Sequence, residues 1–430
     1  MSLSNTLYSG LSGMSATSQS ISVTSDNIAN VNTVGFRGSR SLFEDLLSRS
    51  IVGVGDLGNG VRLSKIEKLF NQGAIIGSAR STDLAINGRG FFVVNGTHNG
   101  MTGNFFTRAG MFKADRDGFL TNTDGMRVQG YNADETGNIG STLSDIRAAE
   151  PITEPRATSN IDLGLNLSES DDVPVQTFDI TDPAGTSSFS NSVVAYDSLG
   201  GAHTVTVYYT RNGAQSWEWN AVVDGSEVAG GTPDTPTLIA RGTLGFNTDG
   251  QLDTETRDTS LPPIDFANAT PDQQITFDFG DSITTDGGTG EGTTAFAENF
   301  AVNSLDQDGF RTGEFIDLEV DRDGVVVASY TNGERVTVAR VALADFRSPE
   351  GLARTGNTLF RETLESGDAF IGFANTGGRG EIAGGALEQA NVDLSTEFVR
   401  LINDQRAFQA ASRTITTADE LLAETINLKR

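Results

Sequence analysis

The chain has no cysteine among its 430 residues, so it forms no disulfide, offers no thiol nucleophile and lacks the usual ligand set of structural zinc sites. That composition fits a protein working outside the reducing cytosol without relying on oxidation. Histidine is almost as scarce. A Ser/His/Asp triad would need His98, in a Gly/Asn loop, or His203, at the start of a predicted strand, and neither sits in a nucleophile-elbow context. No run approaches twenty apolar residues, so no transmembrane helix and no membrane insertion are expected. The first basic residue is Arg37, and the start of the chain lacks the basic and continuously apolar regions of a secretory signal. Basic residues are rarest between 151 and 300, where Arg156, Arg211, Arg241 and Arg257 face 23 Asp or Glu, a net charge of −19 out of −27. Phosphate binding needs clustered Lys and Arg, so nucleic acid is excluded as a partner, and the acidic stretch reads as a solvated surface.

Helical periodicity is present at both ends. Near the C-terminus, a stretch without Gly or Pro carries Leu394, Phe398, Leu401, Phe408, Ile415, Leu422 and Ile426 at steps of three, four and seven, with Gln405, Ser412 and Asp419 as polar interruptions. Asp393 and Ser395 can cap this helix, Glu397 suits its first turn, and Lys429 and Arg430 lie at its negative end. At the other end Leu7, Leu11, Met14, Ser18, Ile21, Ser25 and Ile28 repeat the period. That helix is rich in serine, holds Gly10 and Gly13, and would not fold alone. Asp26 is its only charged side chain, which predicts burial against other protein, between subunits.

Fifty glycines and short alternating apolar runs predict a mainly β chain with helical termini, built from nested domains. The boundaries read as 1–32 with 391–430 for the helices and 33–72 for a linking arm or hairpin. A discontinuous β domain takes 73–150 and 301–390, interrupted by an acidic β domain at 151–300. Three Asn and a Gly in Asn27 to Phe36 stop the first helix. A hairpin about Asn87-Gly88 and a meander through Tyr131 are expected in the first β domain. In the insert, Thr204 to Tyr209, Trp217 to Val223 and Ile275 to Phe279 alternate as strands. This arrangement puts the chain ends at one pole and the insert at the other.

Sequences with catalytic or metal associations have simpler explanations. Gly53-Val54-Gly55-Asp56-Leu57-Gly58 matches a dinucleotide pattern without a surrounding βαβ unit. The Asp-x-Asp-Gly runs at 115–118, 306–309 and 321–324 lack the final Glu of a calcium loop and read as turns. Asp253 with Glu255 keeps a carbohydrate-active enzyme or adhesin open as an alternative class. No cofactor is expected.

Taken together, the ends resemble the bacterial flagellar rod and hook axial family. The resemblance lies in Asp26 to Phe36, including Asn27, Asn30, Asn32, Gly35 and Phe36. It continues in Thr82 to Phe92, in Thr107 to Gly110, in Gly385 to Leu394, including Asn391 and Asp393, and in Gln405-Arg406-Ala407-Phe408. The length of the insert selects a hook protein over a rod protein, the alternative within the family. The resemblance implies a structural, non-enzymatic subunit, exported through the flagellar type III apparatus without a cleaved signal to the extracellular hook. Copies would form a homopolymer, a hollow curved tube with the terminal helices lining it, acting as a universal joint. Its partners would be rod and hook-filament junction proteins, the hook cap and the export apparatus. The assembly interface would be Leu7, Leu11, Met14, Ile21, Ile28 and the apolar positions of the C-terminal helix.

Overall fold

The structure, a computed structural model, describes residues 3–47, 58–134, 137–148, 152–170 and 177–427. Gly53 to Leu57 of the dinucleotide-like run, Lys429 and Arg430 lie outside the described residues, as does the side chain of Ile426. The chain is mainly β, with a helix α1 at Leu3–Ala29 and a helix α2 at Leu394–Asn427. It divides into two compact units, Met1–Glu150 with Ile316–Ser329 and Arg335–Arg430, and Pro151–Phe315 with Tyr330–Glu334. The second unit continues past residue 300 because the strand Ala301–Gln307 pairs with Asn160–Asn166.

In the first unit α1 leads into an antiparallel hairpin of β1, Ser39–Leu47, and β2, Gly58–Lys68. The main sheet is built about Phe91–His98, which pairs antiparallel with Met101–Thr107 on one side and with Arg127–Asn132 on the other. It is therefore not the simple meander expected, since the central strand comes first in the sequence. Nor does Asn87-Gly88 close a hairpin. Leu84–Asn87 pairs instead with Glu381–Gly384, and the two-residue hairpin falls at Asn99-Gly100, whose φ values of 50° and 78° suit a type I′ turn. Five phenylalanines, Phe70, Phe91, Phe106, Phe346 and Phe360, meet mostly edge-on at 4.8–5.8 Å and hold this sheet's core.

The second unit holds a five-stranded antiparallel sheet in sequence order, from Phe189–Tyr196 to Leu252–Arg257. A three-stranded sheet orders Thr276–Asp278, Asn160–Asn166 and Ala301–Gln307. The alternation of Trp217, Trp219, Ala221 and Val223 points these side chains inward, where both tryptophans are fully buried with Tyr209, Phe277 and Phe279.

Candidate functional site

The first unit gathers its polar side chains where the two helices take root. α1 ends at Ala29, and the next residue, Asn30, donates its backbone N–H to the Asp26 carbonyl and returns its side chain to the same carbonyl at 3.0 Å. Gly35 follows with φ +69°, and a Cβ there would stand 2.3 Å from the Ala109 backbone nitrogen, so only glycine fits. Its N–H donates to the Glu388 carbonyl at 2.8 Å. Phe36 is buried beneath the Arg354 guanidinium, 4.9 Å from its ring centre. Asn32 is exposed.

Three buried charges fasten this root. Arg37 and Glu388 are both wholly inaccessible, and Arg37 Nη2 donates to Glu388 Oε1 at 2.7 Å. Arg108 Nη1 donates to Glu388 Oε2 at 3.1 Å, and its Nη2 to the Gly88 carbonyl at 2.6 Å. The Gly73 N–H also donates to Glu388 Oε1, at 2.9 Å. Burial pushes the Arg108 guanidinium down to about 10, against the attraction of Glu388 and with the repulsion of Arg37. Residues from three separate stretches of sequence thus converge on one carboxylate. Two asparagines extend the network. Asn27 exchanges hydrogen bonds with the Ser39 backbone at 2.7 and 2.9 Å and donates to Glu397 of α2 at 3.2 Å. Asn391 accepts from the Gly38 N–H at 2.7 Å and donates to the Leu69 carbonyl at 2.7 Å. Asp393 caps α2 by accepting the Thr396 N–H at 2.7 Å, and the bonds from Thr396 hold its carboxyl below the ordinary range.

From this root α1 and α2 run antiparallel, and their contacts step by seven in opposite directions: Asn27 with Glu397, Ser20 with Asp404 at 2.7 Å, Gly13 with Ala411. A Cβ on Gly10 would lie 2.8 Å from Ile415 Cγ1, so glycine sets the approach there. Against its other side α1 receives β2, where the Val61 N–H donates to Ser12 Oγ at 3.2 Å. The small residues that make α1 a poor helix alone are those that let two neighbours approach it. On α2 the inward positions are Glu397, Leu401, Asp404, Phe408, Ala411, Ile415, Ala418 and Leu422, all buried or half-buried.

The sequence-derived interface meets this seam at alternate positions. Leu401, Phe408, Ile415 and Leu422 lie on the inward face. Leu394 and Phe398 are 41% and 46% exposed, and Gln405, Arg406 and Asp419 are exposed too, because the second seam position falls one residue earlier than the apolar spacing suggested. On α1, Leu7, Met14, Ile21 and Ile28 are half-buried, Leu11 is 54% exposed, and Ser18 and Ser25 face outward. The expected cap and first-turn roles also shift. Asp393 rather than Ser395 accepts the capping bond, and Glu397 is buried against Asn27 instead of merely facing the helix dipole.

The Arg37–Glu388–Arg108 cluster carries no signal in the periodicity or composition of the sequence, although each member lies in or beside a stretch that carries the family resemblance. Of the catalytic candidates, His98 bonds the Thr355 carbonyl at 3.0 Å. His203 is buried, stacked 3.8 Å over Phe266, and meets Asp197 at 3.0 Å. Asp253 accepts from the Thr284 hydroxyl at 2.7 Å. Turn backbone occupies two of the Asp-x-Asp-Gly carboxylates, Asp115 accepting from the Asp117 and Phe119 N–H groups and Asp321 from that of Val325, whereas the third run ends the strand Ala301–Gln307 and its Asp308 accepts from the Ser159 and Asn160 N–H groups of a distant strand start. Among the described residues no helix is long and apolar enough to cross a membrane.

Comparison with known families gives four matches along the chain. Residues 7–37 match the flagella basal body rod protein family and 85–190 the flagellar hook protein FlgE/F/G D1 domain. Residues 165–310 match the flagellar basal body protein FlaE D2 domain and 383–428 the flagellar basal body rod FlgEFG protein C-terminal family. The flagellar hook protein FlgE of Borreliella burgdorferi is 33% identical, covering 98% of this chain and 99% of that protein. The flagellar hook protein FlgE of Salmonella typhimurium is 32% identical, covering 97% of this chain and 98% of that one. A solved Helicobacter pylori flagellar hook protein FlgE2 aligns with a TM-score of 0.48 and 16% identity over 73% of this chain and all of its own. The helix root therefore joins segments that match at both ends of the chain, and with full-length relatives above 30% identity the chain belongs to the flagellar hook protein family.

Proposed function

We propose that this chain is the structural subunit of a bacterial flagellar hook and polymerises helically, with α1 and α2 lining a hollow curved tube that transmits torque while bending. Its family relationship points to a structural role in a polymeric flagellar component, at a flagellar location. The observation that supports polymerisation is the unfinished core of the helix pair. Across 27 and 34 residues of helix, the only fully buried apolar side chains among those described are Ala16 and Ala418. Tyr8, Leu11, Phe398, Val399, Ile402 and Leu421 stand 46–64% exposed. Side chains of that size are ordinarily covered. Neighbouring copies would supply the cover.

In this reading the hook's ends adjoin rod and junction proteins, a cap guides growth, and the type III apparatus exports the chain unfolded. Negative-stain electron microscopy of the purified protein at rising concentration tests the proposal: curved tubes are expected. A protein that stays monomeric at every concentration and salt condition, with both units folded, would overturn it.

A further inference from the structure

The end of α1 is gripped against the sheet of the first unit in two ways. One is the buried Arg37–Glu388–Arg108 cluster, which cannot part without leaving a buried charge uncompensated. The other is open to solvent. Arg354 rises from the strand Ala353–Gly356, lays its guanidinium over Phe36 and brings Nη1 to 3.8 Å from Asp26 Oδ2, the carboxylate of the one charged side chain in α1. Beside this pair lies a cleft of about 390 Å³, with Asp26, Asn30 and Thr33 on the α1 side and Gly356, Asn357 and Thr358 on the other. The arm that carries Arg354 is stiff. Its strand pairs with Leu359–Arg361, which pairs in turn with Phe106 and Thr107 of the main sheet. The turn between them, Gly356-Asn357-Thr358, holds three successive positive φ values of 94°, 50° and 58°. A β-branched residue such as Thr358 is strained there and persists only where its neighbours over-determine it. Here Asn357 Nδ2 donates to Asp124 Oδ1 at 2.9 Å, and Thr107 Oγ1 donates to the Thr358 carbonyl at 3.1 Å.

We infer that Arg354 is a positioning residue, whose clasp on Asp26 and Phe36 sets the angle at which the helix pair leaves the sheet of the first unit, and through that angle the shape of the tube. This inference rests on the hook-subunit reading, since only in an assembled wall does the angle become curvature. The energetics separate the two grips. Parting the buried cluster is costly, whereas a half-exposed ion pair and a cation over a ring are each weak. A small change of angle therefore turns about the buried cluster and is resisted at Arg354, where the arm is rigid and the cleft leaves α1 room to move.

Arg354→Met keeps an apolar stem over Phe36 and removes the charge, and Asp26→Asn removes its partner. Both are expected to form tubes at the parent concentration with melting transitions unmoved, because an exposed pair adds little stability. In electron micrographs the spread of tube curvature should widen by about twofold in each. The double variant should match either single one, since both remove the same contact. Asp26→Glu, which keeps the charge, should return the parent curvature. The absence of cysteine lets the angle itself be read. Nitroxides on Ser18→Cys and Thr97→Cys, both exposed positions, report the distance from α1 to the sheet in tubes diluted with unlabelled parent, and adding Arg354→Met should broaden that distance distribution. An unchanged distribution or curvature in Arg354→Met, additive changes in the double variant, or loss of assembly overturns the positioning role and leaves the hook reading standing. A parent protein that forms no tubes overturns both.

Discussion

Replacing Glu388 by glutamine tests what holds the helix root. The substitution keeps shape but removes the one anion between Arg37 and Arg108, and it sets an amide where the Glu388 carboxylate accepts from Arg37 at 2.7 Å, Gly73 at 2.9 Å and Arg108 at 3.1 Å. Removing one partner of a buried ion pair costs about 3 to 5 kcal/mol, because the remaining charge stays buried without compensation. For a unit of this size each kcal/mol lowers the melting temperature by about 2 to 4 °C, so a fall of roughly 10 °C is expected. The molecule carries its own control. Its only two tryptophans, Trp217 and Trp219, are buried in the second unit, so their fluorescence reports that unit while far-ultraviolet circular dichroism follows both. Glu388→Gln should move one dichroism transition and leave the fluorescence transition in place. The triple replacement Arg37→Met, Glu388→Leu, Arg108→Met should recover most of the loss, since an apolar trio removes the burial cost of three charges. A loss under about 1 kcal/mol, or an equal shift of both signals, would refute the argument that this carboxylate holds the first unit together.

Leu401→Asp and Phe408→Asp each put a carboxylate in the seam and should abolish tubes while the tryptophan transition stays unchanged, by electron microscopy and fluorescence. Gly10→Val should destabilise the helix pair by about 1 to 3 kcal/mol, because even its Cβ would lie 2.8 Å from Ile415, and tube yield should fall. In free subunits the α1 amides should exchange rapidly and in tubes slowly; strong protection before assembly would contradict the unfinished-core argument. Burial, and then the Asp278 charge, raise the Glu255 carboxyl to about 7 from 4.5. The folded second unit therefore holds a proton there that the unfolded chain releases, and its stability falls as pH rises through that window. The tryptophan melting temperature should be lower at about pH 8 than at about pH 5.5. The difference should be about 1 to 2 kcal/mol once the water still reaching the carboxylate is allowed for. Glu255→Gln should flatten that slope.

The helices, the β character and the family were legible in the sequence, and the seam was legible by half. Leu401, Phe408, Ile415 and Leu422 announce themselves because periodicity is scored on large apolar side chains. Their partners do not, since the inner face of α1 is selected for smallness at Gly10 and Gly13 and for hydrogen bonding at Ser20 and Asn27. The Asn87-Gly88 turn misled for a related reason: local turn preference yielded to pairing with Glu381–Gly384, almost three hundred residues away. The buried charges had no local signature at all. Arg37 and Glu388 are 351 positions apart, and nothing in either neighbourhood marks an ion pair as buried.

The hydrogen bond between Ser20 and Asp404 spans 384 positions of sequence, and that between Asn27 and Glu397 spans 370. Contacts so distant close a loop containing almost the whole chain, and they are the slowest kind to form. A partial chain could fold its sheets yet would leave α1 without α2, holding a row of glycines and serines against water. Pairing segments so far apart thus works as a check on synthesis, because a chain that stops before α2 leaves Gly10, Gly13 and Ser20 of α1 uncovered.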